Sequence, residues 1–193
     1  MTSTSSLENF YKKGIFGDYE KKNENDLIKI KENKNLLIVQ LAQYKNSSIT
    51  TKDIDGLSLS NEALKVVSNN ETRILWTGPK SWILTSTKKD LLKDIDKIFN
   101  VSDFAINDLS HSKAIIEIEG KFSKEVLKKG CPFNFRDLKK NNCVNSLFNG
   151  VAVTIDMIDD NPNKIRIFTL RSFGQFLYES ITDSCLEFGY KSL

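Results

Sequence analysis

The stretch Arg73-Ile74-Leu75-Trp76-Thr77-Gly78-Pro79-Lys80-Ser81-Trp82-Ile83-Leu84-Thr85-Ser86 decides how the chain is read. Two runs of β-prone residues flank Gly78-Pro79, and Gly with Pro marks a tight turn, so the stretch predicts a β-hairpin. Upstream, Leu36-Leu37-Ile38-Val39-Gln40-Leu41-Ala42 predicts a strand. Residues 45–61 are rich in Ser, Thr, Asn, Asp and Gly and read mostly as loop, with a short helix expected over 61–67. Downstream of the hairpin, Thr87 and Asp90 have the spacing of a capping box. Behind them Leu91, Leu92, Ile95, Ile98 and Phe99 fall on one helical face.

The remaining chain continues in short elements. Residues 104–109 and 114–118 read as strands, with Gly120 ending the second. Residues 122–129 predict a helix, with Gly130 at its C′ position and Pro132 beyond it. Residues 144–147, 151–158 and 164–170 predict three more strands, with turns at Asn149-Gly150 and from Asp159 to Pro162. Ser172 and Gln175 have capping-box spacing before a last helix. Its inner face is read as Phe173, Phe176, Leu177, Ile181, Cys185 and Phe188, and Gly189 stops it. Antiparallel strands with helices to one side define an α+β class. Its two halves echo each other loosely, as a duplicated unit would.

The N-terminal part reads differently. Residues 1–6 form a polar tail. Leu7, Phe10, Tyr11, Ile15, Phe16 and Tyr19 cluster around Gly14 and Gly17, and a charged stretch from Glu20 to Lys34 follows. Residues 1–35 are therefore expected to be a tail and an extended arm, and 36–193 a single α+β domain of two related halves. The arm anchors either on its own domain or on a partner through Phe10, Tyr11, Phe16 and Tyr19. Deleting residues 1–19 is then expected to weaken assembly more than stability.

Composition excludes several classes. Twelve Phe, five Tyr and two Trp rule out a wholly disordered chain. No apolar run approaches the ~18–20 residues of a bilayer-spanning helix, and the first residues lack the pattern of a signal peptide. The formal charge is +3, from 28 Lys and Arg against 25 Asp and Glu. Lys pairs such as Lys88-Lys89 and Lys128-Lys129 are dispersed among acids, and Arg occurs only at 73, 136, 166 and 171, which disfavours a nucleic-acid-binding stripe. Cys131, Cys143 and Cys185 have no C-x-x-C spacing, and His111 is the sole histidine. The odd cysteine count argues against a disulfide framework or a Cys-based zinc site, a single histidine excludes a multi-His metal site within the chain, and a reducing, cytoplasmic location is expected.

Candidate chemistry is sparse. Asp108, Ser110 and His111 are the residue types of a proton relay, but strand alternation puts His111 on the face opposite Asp108 and Ser110. His111 is read as structural or interfacial. Trp76 and Trp82 either pack in the core or stack on a planar ligand such as a pterin. Cys131 follows a helix C-terminus, which does not acidify a thiol, so it reads as a quiet buried group. Arg171, beside the expected helix start, suits an anion or an acidic group on a partner chain. No catalytic constellation is visible.

Several segments together resemble one family. Gly78-Pro79-Lys80-Ser81-Trp82, Leu109-Ser110-His111-Ser112-Lys113-Ala114, Val126-Leu127-Lys128-Lys129-Gly130-Cys131-Pro132 and Leu170-Arg171-Ser172-Phe173, in this order, resemble the gamma subunit of heterotetrameric sarcosine oxidase. The start, Ser6-Leu7-Glu8 and Gly14-Ile15-Phe16-Gly17, also fits. The Lys- and Asn-rich composition and residues 44–70 depart from the family pattern.

The resemblance implies a duplicated, interlocked α+β unit similar to the folate-binding domain of the glycine-cleavage aminomethyltransferase. It implies an accessory, non-catalytic chain that joins alpha, beta and delta subunits. Those subunits would hold FAD, FMN, NAD, zinc and tetrahydrofolate, and would convert sarcosine to glycine with peroxide and methylene-tetrahydrofolate. The candidate interface is Phe10, Tyr11, Phe16, Tyr19, His111 and Arg171. The alternative is a small folate-binding or one-carbon-transfer protein, which needs an acid against the pterin; Asp108 and Glu117 are the candidates for that acid.

Overall fold

The computed structural model describes residues 5–47 and 53–193. Residues 1–4 of the polar tail expected over 1–6, and residues 48–52 of the loop expected over 45–61, lie outside the described residues. The strands are β1 (Gly14–Phe16), β2 (Ile28–Glu32), β3 (Leu37–Gln43), β4 (Val66–Ser68), β5 (Thr72–Gly78), β6 (Ser81–Ser86), β7 (Phe104–Asp108), β8 (Lys113–Glu119), β9 (Cys143–Phe148), β10 (Val151–Asp160), β11 (Asn163–Leu170) and β12 (Tyr190–Ser192). The α-helices are α1 (Leu91–Ile98), α2 (Ser123–Lys128) and α3 (Gly174–Cys185). The class is α+β, with two sheets built mainly of antiparallel pairs, β12 pairing in parallel with β2. No helix among the described residues is long and apolar enough to cross a membrane.

The chain divides into two compact units. The first takes residues 5–34, 112–140 and 144–193, and its seven-stranded sheet has the order β1-β12-β2-β8-β11-β10-β9. Strand alternation sets its core. Ile116 and Ile118 of β8, Ile165 and Ile167 of β11, and Ile155 and Met157 of β10 point to one side. Val126 and Leu127 of α2 and Leu177 and Ile181 of α3 belong to the same core. Gly130 follows α2 because a Cβ there would lie 2.6 Å from the Asn149 amide oxygen and 2.9 Å from the Phe148 ring.

The segment expected as an arm is part of this unit. Phe16 of β1 pairs with Tyr190 of β12, and Tyr190 pairs in parallel with Ile28 of β2. Leu7, Ile28 and Ile30 are fully buried. The local sequence hides this because β1 spans three residues and its partner strand comes from the other end of the chain. The alternation Ile28-Lys29-Ile30-Lys31 is the strand signal that the charged composition masked.

Two helix starts also differ from expectation. Asp90 has helical backbone angles and makes no side-chain cap, the turn being closed by Leu91 N–H to Lys88 O. Ser172 lies inside a 3-10 turn, Arg171–Phe173, that precedes α3. The inner face of α3 is Leu177, Tyr178, Ile181 and Cys185, whereas Phe173 is 45% and Phe176 46% exposed.

The second unit takes residues 35–47, 53–111 and 141–143, with strand order β4-β5-β6-β3-β7. The hairpin predicted at Gly78-Pro79 is β5–β6. Its core joins Val39, Leu41, Ile74, Trp82 and Leu84 of the sheet to Leu91 and Ile95 of α1 and to Phe104. No helix forms over 61–67. Leu64 sits at φ 65°, and Val66 and Cys143 form backbone bonds with Asn141 and Leu64, so this segment is drawn into strand pairing.

A polar knot fastens the loop ahead of β4. Asp55 lies at φ 53°, and the backbones of Ile54 and Leu57 bond to each other. Its carboxylate accepts from Thr72 Oγ1 at 2.7 Å, Asn69 Nδ2 at 3.0 Å and Lys88 Nζ at 2.8 Å. The hydrogen bonds from Lys88, then Thr72 and Asn69, hold this carboxyl down at about 2. A depressed carboxyl stabilises the fold above its unfolded value and loses that contribution as pH falls through the folded value. Asp55→Ala should therefore cost about 2–3 kcal/mol near neutral pH, the size of losing charge-assisted hydrogen bonds. The cost should shrink between pH 4 and pH 2 in urea titrations, and an equal cost at pH 2 and pH 7 would contradict the assignment.

Candidate functional site

The carboxylate with the most organised surroundings is Glu117, at the middle of β8. The register sets Glu117 opposite Lys31 of β2 and Arg166 of β11, and Arg166 opposite Asp156 of β10. Four charged residues thus cross four neighbouring strands on the face opposite the Ile116 and Ile118 side chains. Glu117 Oε1 accepts from Arg166 Nε at 2.8 Å, Arg166 Nη2 at 2.7 Å and Asn33 Nδ2 at 2.9 Å. Burial pushes the Glu117 carboxyl up, but the Arg166 charge and the hydrogen bonds from Asn33 and Arg166 outweigh it and leave the pKa lowered. Such a group stays ionised with three donors on one oxygen. It suits a structural anchor, and does not suit proton exchange with a bound pterin.

Asp108 ends β7 one residue before the strand was expected to stop, so strand alternation does not govern Ser110. Asp108 Oδ1 accepts from Ser110 Oγ at 2.5 Å and from Ser110 N at 2.9 Å. Ser110 Oγ in turn accepts from Ile38 N at 3.0 Å. Asp108 and Ser110 thus brace a turn. His111 is exposed and does not join them. The relay residues do not converge.

The tryptophans face each other across β5 and β6. Trp82 is fully buried, with its Nε1–H donated to Ser60 O at 2.7 Å, and Trp76 packs against the same core. Of the two readings, the core reading holds for Trp82, whose ring is sealed from any ligand. All three cysteines are free and buried. Cys131 donates to Ser146 Oγ at 3.1 Å, Cys143 to Trp76 O at 3.1 Å, and burial pushes the Cys185 thiol up to about 12. Among the described residues no three His, Cys, Asp or Glu side chains converge as metal ligands.

The aromatic candidates divide. Tyr11 packs on Tyr178 with ring centroids 5.2 Å apart, and its hydroxyl lies 3.0 Å from both Ile30 O and Leu193 O. Phe16 stacks on Tyr190 at 5.3 Å. Both are therefore tied to their own unit. Phe10 and Tyr19 stay 40% and 41% exposed. Arg171 opens the 3-10 turn, donates its N–H to Ser112 O at 2.9 Å and has partners within the chain. An open hollow of about 450 Å³ lies between Phe10, Phe16, Tyr178 and Tyr190, with Lys12 and Glu179 on its lining. Sequence reasoning missed Arg166 and Asn33, because the pairing of distant strands rather than any local motif brings each to Glu117.

No family model and no curated protein matches the sequence. Solved structures do match. A chain of the heterotetrameric sarcosine oxidase from Corynebacterium sp. U-96, in complex with pyrrole 2-carboxylate, superposes with a TM-score of 0.75 at 19% identity. The match covers 86% of this chain and 87% of that one. Glycine cleavage system aminomethyltransferase T from Bartonella henselae superposes with a TM-score of 0.57 at 10% identity, over 82% of this chain. This chain matches 46% of that enzyme's length. At these identities the likeness is one of fold. The chain carries the α+β architecture that the sequence resemblance implied, shared with a sarcosine oxidase chain and with part of an aminomethyltransferase.

Proposed function

We propose that this chain is the accessory, gamma-type subunit of a sarcosine-oxidising complex, supporting assembly while other subunits perform the chemistry. One observation carries the reading. The match to the sarcosine oxidase chain takes nearly the same share of both chains, so the two are of nearly equal length. The aminomethyltransferase uses the same fold as less than half of a larger enzyme. The partners are then alpha-, beta- and delta-type subunits, which hold FAD, FMN, NAD, zinc and tetrahydrofolate, and the complex works in the cytoplasm. The arrangement of polar residues agrees with an accessory role. Glu117 is buried and committed to Arg166 and Asn33, and Asp108 Oδ1 is engaged by Ser110.

The alternative, a small folate-binding or one-carbon-transfer protein, separates from this reading in one titration. The isolated chain, mixed with tetrahydrofolate up to about 1 mM, should show no saturable quenching of its tryptophan fluorescence. It should form no peroxide from sarcosine with added flavins. Saturable binding at micromolar concentrations, or turnover by the pure chain, would favour the alternative.

A further inference from the structure

An open hollow of about 460 Å³ lies in the first unit where β8 turns into α2. Five charged residues line it: Lys22, Lys29, Lys121, Asp26 and Glu119. The fold explains how they meet. The register sets Lys29 of β2 opposite Glu119 of β8. Gly120 then brings the chain close against β2, since a Cβ there would lie 3.3 Å from Ile28 Cα. Lys121 follows at once and lines the same hollow as Lys29.

The ion pairs leave two of the three ammonium groups over. Lys22 is held by Asp18 at 3.1 Å and by Glu187 O at 3.2 Å. Glu119 is held at 3.2 Å by Lys164 of β11, the strand on the other side of β8 from Lys29. Glu24, within electrostatic reach of Lys29, is bonded to Lys191. Half-buried Lys29 and exposed Lys121 have no ion pair among the described residues, Lys121 lying 5.5 Å from the centre of the Phe122 ring. Asp26 is the lining acid without an ion pair, and it is exposed. Leu27, Phe122 and Pro162 add an apolar wall. A cleft with low-dielectric walls and uncompensated charge of one sign concentrates ions of the other sign. Lysine, a compact point charge, suits phosphate. The volume falls within the roughly 300–1,000 Å³ of small-molecule sites, so the occupant is larger than a bare ion.

Going beyond the assembly reading, we propose that this hollow binds the phosphate group of a small phosphorylated molecule. Lys29 and Lys121 face the dianion, and the organic part lies against Leu27, Phe122 and Pro162. A carboxylate, with one charge, is the weaker ligand, and an uncharged molecule of the same shape does not bind.

Phenyl phosphate, titrated into the full isotope-labelled chain, is the probe. The amide signals of Lys29, Gly120 and Lys121 should shift along saturable curves, with a Kd below about 1 mM at low salt. Raising NaCl from about 20 mM to about 200 mM should weaken binding several-fold. Benzoate should bind about tenfold more weakly or worse, and benzyl alcohol should cause no shift. Lys29→Ala with Lys121→Ala should weaken phenyl phosphate by about tenfold or more. Asp26→Asn should tighten it a few-fold, and Lys128→Ala, whose ammonium pairs with Glu125, should leave it unchanged. Should the double variant melt early, Lys121→Glu, at an exposed position, carries the comparison. Shifts that stay linear, that spread over the lysines of the second unit, or that benzyl alcohol reproduces would overturn the site. So would equal binding by the lysine variants. Assembly is read from co-purified subunits, so this site can fail while the proposed function stands.

Discussion

Arg166→Ala should lower the stability of the free chain by about 3–5 kcal/mol, the cost of leaving a buried charge without its partner. Glu117 is 7% exposed, and two guanidinium nitrogens lie within 2.8 Å of its Oε1. Once Arg166 is gone, the Asn33 hydrogen bond and the more distant Lys164 charge do not offset the desolvation of the carboxylate. For a chain of this size the loss corresponds to a fall in melting temperature of roughly 10 °C. Replacing both members, Arg166→Met with Glu117→Leu, should recover most of it, because an apolar pair leaves no stranded charge. The pH dependence has a definite sign. The folded Glu117 carboxyl titrates lower than its ordinary value, so its contribution is present above that value and is lost as pH falls through the folded one. Urea unfolding of the three variants checks this, and a cost below about 1 kcal/mol for Arg166→Ala would show the ladder to be unimportant for stability.

Deleting residues 1–19 should abolish cooperative folding of the first unit. The deletion removes Leu7 from the core, Tyr11 from Tyr178, and the β1 strand whose Phe16 stacks on Tyr190. Each apolar side chain contributes about 1.5–3 kcal/mol by burial. Their sum approaches the roughly 5–15 kcal/mol that holds a typical domain together. This outcome reverses the expectation from sequence, in which the segment was an arm whose loss would weaken assembly and spare stability. Near-UV circular dichroism of the truncated chain decides between them. A retained signal with an unchanged melting temperature would restore the arm.

The two outcomes show where sequence was informative. Strands bounded by turn residues were legible: β3, the β5–β6 hairpin, and the β10–β11 pair around Asp159–Pro162 lie where alternation and Gly or Pro placed them. Elements that depend on distant partners were not. β1 and β12 are three residues each and exist because they pair with each other across most of the chain. Residues 61–67 lost their expected helix to backbone bonds with residues 141–143, a competitor no local window contains.

The polar groups follow the same division. Sequence reasoning chose Asp108, His111, Glu117 and Arg171 by type and neighbourhood. The structure gives Asp108 to Ser110 and Glu117 to Arg166, while His111 stays exposed. Glu117 met Arg166 because the β8–β11 register put them opposite, which only the topology specifies. Phe173 and Phe176 were assigned to the buried face of the last helix by periodicity. The 3-10 turn that precedes α3 turns them out, with Leu177, Tyr178 and Ile181 taking the core.

The claim that this chain is an assembly subunit is tested most directly by isolating it, tagged at its C-terminus, from its native cells under gentle conditions. The mass of the particle and the identity of its components are then measured. The account predicts a complex holding one copy of this chain with larger flavin-bearing subunits, whose sarcosine-dependent peroxide formation the isolated chain lacks. A chain recovered without such subunits, or one that itself turns over a folate substrate, would contradict it.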